Sequence, residues 1–207
     1  MSLMVISPST KKFAKNFSYE KEYLVTEPPS EKTVAIKNIY SNVIAIGGGS
    51  VIDTAKIICS KRVQAFPTTY SGASKTEHAV YWKKGKKCDI STALPITNIR
   101  REFFKGLPKE VEMASKVDCI CHIIESLLSK KTTVESVSYA HRAIELIKED
   151  DWIHASLFAG QAINITGTNL IHGLSYGLTG KYNLPHGVAL AYILNLSKSY
   201  EKVGEIL

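Results

Sequence analysis

VIAIGGGSVIDTAK, residues 43–56, places three consecutive glycines between a short apolar run and an amphipathic stretch. The run up to Ile46 is rich in β-branched residues and reads as a strand covered on both faces. From Ser50 onward the apolar spacing turns helical. A strand, a glycine turn and a helix in this order form the first half of a βαβ unit. Without Cβ atoms, backbone can approach a phosphate closely, and a helix start offers free N–H groups and the positive end of a dipole. The spacing is neither G-x-G-x-x-G nor a P-loop, because no lysine follows the glycines directly. Two readings stay open from these residues: a plain strand-to-helix turn capped by Ser50, or a phosphate cradle.

Upstream and downstream of the turn the pattern repeats. LMVIS (3–7), EYLVTE (22–27), NVIAIG (42–47) and VQAFPT (63–68) are strand-like, while KKFAKNF (11–17), SEKTVAIKNIY (30–40, starting at Ser30) and VIDTAKIICSKR (51–62) are helical. Strands alternating with helices predict a parallel sheet. Beyond residue 95 the segments lengthen and become helical throughout: 109–130, 132–150, 151–170 and a final helix from the Pro-His-Gly at 185–187 to the end. The expectation is an α/β domain over 1–94 followed by an all-helical domain over 95–207, with a cleft between two lobes as the place for chemistry.

Composition narrows the function classes. The 207 residues are 44% hydrophobic with a formal charge of +7. Lysines are spread along the chain, with the densest cluster, KKGKK at 83–87, in a turn-like segment and no aromatic-basic interleaving. This argues against nucleic acid and suits small anionic molecules. Apolar runs are too short for a membrane span, and the N-terminus lacks a signal peptide's order. Cys59, Cys88, Cys119 and Cys121 form no C-x-x-C pair. All four are expected reduced, in a cytoplasmic protein.

Asp118 and His122 lie four apart in the 109–130 helix, on one face, with Glu125 one turn on as a supporting or ion-pairing group. Alone, D-x-x-x-H more often marks a solvated helix face than a metal site. With His172 and His186 it makes one carboxylate and three imidazoles, a set suited to Fe²⁺, Zn²⁺ or Ni²⁺ and too nitrogen-rich for Mg²⁺ or Ca²⁺. His141 and His154 have no matching partner at useful spacing, and His78 stays unassigned.

GGGSVIDTAK, FPTTYSGASKTE (66–77), DCICHIIES (118–126) and HGLSYGLTGKYNLPHG (172–187) occur in the order and rough spacing of the iron-containing (group III) alcohol dehydrogenases. The chain resembles that family over residues 43–195, with P-T-T-Y nearer its maleylacetate reductase branch. Glycerol dehydrogenases and dehydroquinate synthases share the wider fold. The resemblance implies a Rossmann-like N-terminal parallel-sheet domain and an all-helical C-terminal domain, here in shortened form. It implies pyrophosphate contacts at Gly48, Gly49 and Ser50 with Asp53 on the same helix, cofactor-lining Thr68 and Thr69, a cofactor lysine at Lys87, and metal ligands Asp118, His122, His172 and His186.

The implied activity is metal- and NAD(P)-dependent interconversion of an alcohol and an aldehyde or ketone, with Fe²⁺ or Zn²⁺ as the metal. The same-family alternative is a maleylacetate-type reductase of an anionic oxo-acid; another is a catalytically silent nucleotide- or metal-binding member. Tyr176 stands where many members carry a histidine on the proton path, and is the expected catalytic group. The family often has an aspartate after the first strand that favours NAD; VISPSTKK has none, and Lys11–Lys12 suggest tolerance of NADP or a preference for it. The shortened second domain implies a homodimer or higher homo-oligomer. Residues 169–187 are expected to form a loop, with His172 closing the helix before it and His186 opening the next.

Overall fold

The computed structural model describes residues 2–182 and 184–196. Two compact units divide the chain. One runs up to Thr69 and resumes over Ala73–Gly106; the other takes Tyr70–Gly72 and the described residues from Leu107 onward.

The first unit is built on β1 (Ser2–Ile6), β2 (Lys21–Leu24), β3 (Tyr40–Gly47), β4 (Cys59–Pro67) and β7 (Ile96–Thr97), with helices α1 (Glu31–Ala35) and α2 (Gly49–Ile58). All pairings in this five-stranded sheet are parallel, and the strand order is β2-β1-β3-β4-β7. Alternation along β1 explains why its run is apolar throughout. Leu3 and Val5 join the cluster under α2, whereas Met4 and Ile6 join a second cluster on the opposite face. That opposite face is covered by aromatic side chains: Phe13 stacks on Phe103 at 4.3 Å, and Phe17 meets Phe66 edge-on at 4.8 Å. Full burial of a side chain such as Phe103 contributes about 1.5–3 kcal/mol relative to exposure.

Two local readings need correction. The stretch 51–62 was expected helical to its end, but α2 stops at Ile58 and β4 begins at Cys59. Pairing decides this: Cys59 lies opposite Tyr40, and the Ser60 hydroxyl donates to the Tyr40 carbonyl at 3.1 Å. KKFAKNF forms a 3-10 segment, Lys11–Asn16, in place of an α-helix. The lysine-rich turn belongs to an antiparallel hairpin, β5 (His78–Lys83) and β6 (Lys86–Ser91). Its two-residue loop, Lys84 and Gly85, has both φ angles positive (46° and 74°), which suits a hairpin's right-handed twist. Ser30, by contrast, caps α1 as its sequence suggests, in a reciprocal capping box with Thr33.

The second unit holds α3 (Lys109–Leu128), α4 (Val134–Lys148), α5 (Trp152–Thr166), α6 (Leu170–Tyr182) and α7 (His186–Leu196). Helix α3 is its axis. Cys119 and Ile123 pack with α4 and α5, while Cys121 and Ile124 pack with Ile171 of α6 and Leu190 of α7. Thr133 caps α4, Asp151 caps α5, and Gly167 ends α5 at φ 70°. His154 is explained by this cap, because its Nδ1 lies 2.7 Å from Asp151. The part of the expected last helix beyond residue 196 lies outside the described residues. No helix among the described residues is long and apolar enough to cross a membrane.

Candidate metal centre and glycine turn

Asp118, His122 and Glu125 occupy successive turns of one α3 face, at i, i+4 and i+7. His172 comes from the first turn of α6 and His186 is the first residue of α7. The three imidazoles converge on one carboxylate oxygen. Asp118 Oδ1 lies 3.2 Å from His172 Nε2, 3.5 Å from His122 Nε2 and 3.9 Å from His186 Nε2. Ligands about 2.1 Å from a tetrahedral ion stand about 3.4 Å apart, and the spacings from Asp118 Oδ1 lie near that value, while His122 stands outside the group of three whose ligand atoms are all mutually close. The ligand atoms of Asp118, His172 and His186 all fall within 4.8 Å of one another, and His122 stacks flat on His172 at 4.8 Å.

The surroundings hold the two carboxyls ionised, and the same carboxylates, working against desolvation, raise the His172 pKa. Burial alone would raise the Asp118 pKa, but the imidazoles of His122, His172 and His186 outweigh it and keep this carboxyl well below the usual range. Glu125 is likewise buried, and its bonds to His172 hold its pKa down against desolvation. Its two oxygens grip His172 twice, at Nδ1 (2.5 Å) and at the backbone N–H (3.1 Å). The grip on Nδ1 leaves Nε2 to face Asp118, the arrangement that orients metal-binding histidines. Cys119 and Cys121 pack into apolar clusters, where burial pushes their thiols up. The donor set therefore fits Fe²⁺ or Zn²⁺.

Two local features aim the histidines. The expected loop at 169–187 is a correction: α6 runs through Gly173 and Gly177, and His172 lies in the first turn of this helix instead of closing α5. Neither glycine would meet any atom within 4 Å if it carried a Cβ, so neither is there for close approach. The helix start is supplied from elsewhere. Glu125 accepts the His172 N–H, placing a carboxylate at the positive end of α6. At α7, the Pro185 carbonyl accepts from Val188 and Ala189. Gly187 then lets the first turn press onto α3; a Cβ there would lie 2.2 Å from the Ala114 carbonyl oxygen. Tyr176 stands beside the cluster, its ring centroid 6.3 Å from that of His172 and 6.1 Å from that of His186.

In the sheet unit, strand order reverses between β1 and β3, and ligands of open parallel sheets lodge at such a switch point, beyond the strands' carboxyl ends. Gly47–Gly49 leave β3 there. Helix α2 starts from Gly48 with no side-chain cap, and Ser50 lies inside it, so the Ser50-capped turn is corrected. The Gly48 carbonyl accepts from Val51 and Ile52, so the amides of Gly49 and Ser50 precede the first helical bonds. Packing accounts for two glycines. A Cβ on Gly47 would sit 2.5 Å from Val51, and one on Gly48 3.1 Å from Thr69. Thr68 donates its N–H to the Gly47 carbonyl at 3.1 Å, so both threonines adjoin the turn.

Two further residues stand differently than expected. Asp53 directs Oδ2 to the Val80 N–H at 3.2 Å and Oδ1 to Lys56 at 2.9 Å, so both oxygens face inside the fold and away from a ligand role. Parallel pairing of β1 and β2 brings Glu22 to Lys11, an ion pair at 2.8 Å that supplies the acid the first loop lacks. Lys87 sits on β6 opposite Trp82.

Residues 112–203 match the model of the Fe-containing alcohol dehydrogenase family, C-terminal. The chain is 29% identical to 4-hydroxybutyrate dehydrogenase of Clostridium kluyveri, over 88% of this chain and 62% of that protein. It is 28% identical to maleylacetate reductase 1 of Rhodococcus opacus, over 76% and 50%. It thus spans between half and about three-fifths of these relatives. An iron-containing alcohol dehydrogenase from Thermotoga maritima shares the fold, with a TM-score of 0.81 at 24% identity over 99% of this chain and 74% of that one. Fold, helical unit and sequence relatives point the same way: residues 112–203 match the C-terminal part of the iron-containing alcohol dehydrogenases, and the chain shares their fold.

Proposed function

We propose that the chain acts in metal- and NAD(P)-dependent interconversion of an alcohol and an aldehyde or ketone. The observation that carries this is the convergence of three imidazole nitrogens on Asp118 Oδ1 in a donor set suited to Fe²⁺ or Zn²⁺. Asp118, His122, His172 and His186 would hold the metal. The amides of Gly49 and Ser50, with Gly48, Thr68 and Thr69 beside them, would hold the pyrophosphate of NAD or NADP in a Rossmann-like sheet unit. The bound pair would supply hydride transfer to or from a carbon whose oxygen the metal polarises.

The chain's own residues then orient and protonate. Glu125 fixes the ring of His172. Tyr176, beside two of the four ligands, would carry the proton between substrate oxygen and solvent; a phenol is a slower relay than an imidazole at neutral pH. Lys11 shares its charge with Glu22, which favours tolerance of both nucleotides over a strict NADP preference. A second reading, reduction of an anionic oxo-acid, is supported by the net charge of +7 and by relatives named for 4-hydroxybutyrate and maleylacetate.

Metal analysis joined to NAD(P)H-dependent reduction of a carbonyl panel, carboxylate-bearing substrates included, tests this. About one metal per chain is expected, with metal and turnover both lost in Asp118→Ala. Metal without turnover on any substrate would favour a silent binding module, and absence of bound metal would overturn the ligand assignment.

A further inference from the structure

Lys56 is the most deeply buried cation among the described residues of the sheet unit, with its side chain fully inaccessible. Its ammonium donates to the Ala73 carbonyl (3.0 Å), the Thr76 hydroxyl (3.0 Å) and the His78 carbonyl. Asp53, one turn earlier on α2, balances the charge at 2.9 Å and holds the Val80 N–H with its other oxygen. An ammonium has three donors, and all three are used.

We propose that Lys56 and Asp53 are positioning residues for the nucleotide, a role that rests on the nucleotide reading above. The pair ties residues 73–80 to α2, the same helix whose first turn presents the Gly49 and Ser50 amides. The near end of this segment is tied to the turn itself: Thr68 donates to Gly47, and Thr69 fills the space beside Gly48. Thr68 and Thr69 on one side and residues 73–80 on the other are therefore tied to one turn and one helix. Carbonyls of Ala73 and His78 that point inward would lose their donor without the ammonium, and Asp53 would keep a buried charge without its counter-ion. Residues 73–80 would then loosen from α2, and the helix whose first turn presents the amides would lose that support.

The test uses the full chain with Lys56→Met, Lys56→Arg and Asp53→Asn, and Ile58→Ala as a core control on the same helix. Ile58 is fully buried but touches none of these bonds. Amide hydrogen exchange of peptides covering 68–80 is expected to quicken at least about tenfold in Lys56→Met, and NADH or NADPH binding, read by fluorescence, to weaken roughly tenfold or more. Lys56→Arg should recover part of the affinity, and Ile58→Ala should lower thermal stability with binding within about twofold of wild type. If Lys56→Met does not fold, Asp53→Asn carries the test, with the same direction and a smaller loss. Undiminished nucleotide binding in the folded variants overturns the proposal, as does an equal loss in Ile58→Ala. A wild-type chain that binds neither nucleotide overturns the nucleotide reading as well, which separates the two failures.

Discussion

In the sheet unit, the polar groups at the end of β3 are backbone amides delivered by one contiguous stretch, Val43 to Lys56. In the helical unit they are side chains from α3, α6 and α7, spread from Asp118 to His186 and gathered on one carboxylate oxygen. The first arrangement is local and tolerates any side chain that leaves the turn its shape. The second depends on three helices meeting at fixed register, so its weak points lie in the contacts that aim the ligands. A backbone site fails by clash within the turn; a side-chain site fails by displacement of an element far away in sequence.

Gly187→Ala should break the second arrangement most. The added Cβ has to move away from a backbone oxygen at 2.2 Å, which shifts the first turn of α7 and His186 with it. A displacement of that size is expected to weaken metal binding by roughly 100-fold, read by chelator competition. Glu125→Gln comes next. Loss of the carboxylate that orients His172 and caps α6 should lower metal affinity by about 10–100-fold, with full occupancy regained at high metal.

On the sheet side, Gly47→Ala forces a Cβ to within 2.5 Å of Val51 and should cost about 1–3 kcal/mol of stability. Metal per chain, measured on the folded variant, should stay unchanged; a loss of metal would show that the two sites do not fail independently. The smallest effect has the opposite sign. Gly177 sits inside α6 with open space where a Cβ would go, so Gly177→Ala should stabilise by up to about 1 kcal/mol in thermal or denaturant unfolding. Destabilisation would instead indicate that the glycine serves a contact specific to this helix.

Helix α6 shows where sequence reading stops. Glycines at 173, 177 and 180 with Pro185 read locally as loop, and each costs a helix close to 1 kcal/mol relative to alanine. The offset comes from burial of Ile171, His172 and Ser175 and from a cap donated by Glu125, 47 residues earlier. No window around Leu170 contains that carboxylate. The β5–β6 hairpin was legible in principle, from the alternation in HAVYWK and the Lys-Gly turn. Asp53 was not: its place in an NAD-like motif says nothing of the Lys56 ammonium and Val80 amide that claim both its oxygens.

Periodicity and residue chemistry were enough to determine the parallel strands, the position of the glycine turn, the long helices from 109 to 166 and the candidate donor set. These follow from the 2.0 and 3.6 residue repeats and from which atoms can bind a metal, both properties of the chain itself. Tertiary structure alone decided that His172 lies in the first turn of a helix, that Gly187 is needed for α7 to reach α3, and that Glu22 stands beside Lys11. Each of these depends on groups distant in sequence meeting within a few ångströms, and no local pattern carries that distance.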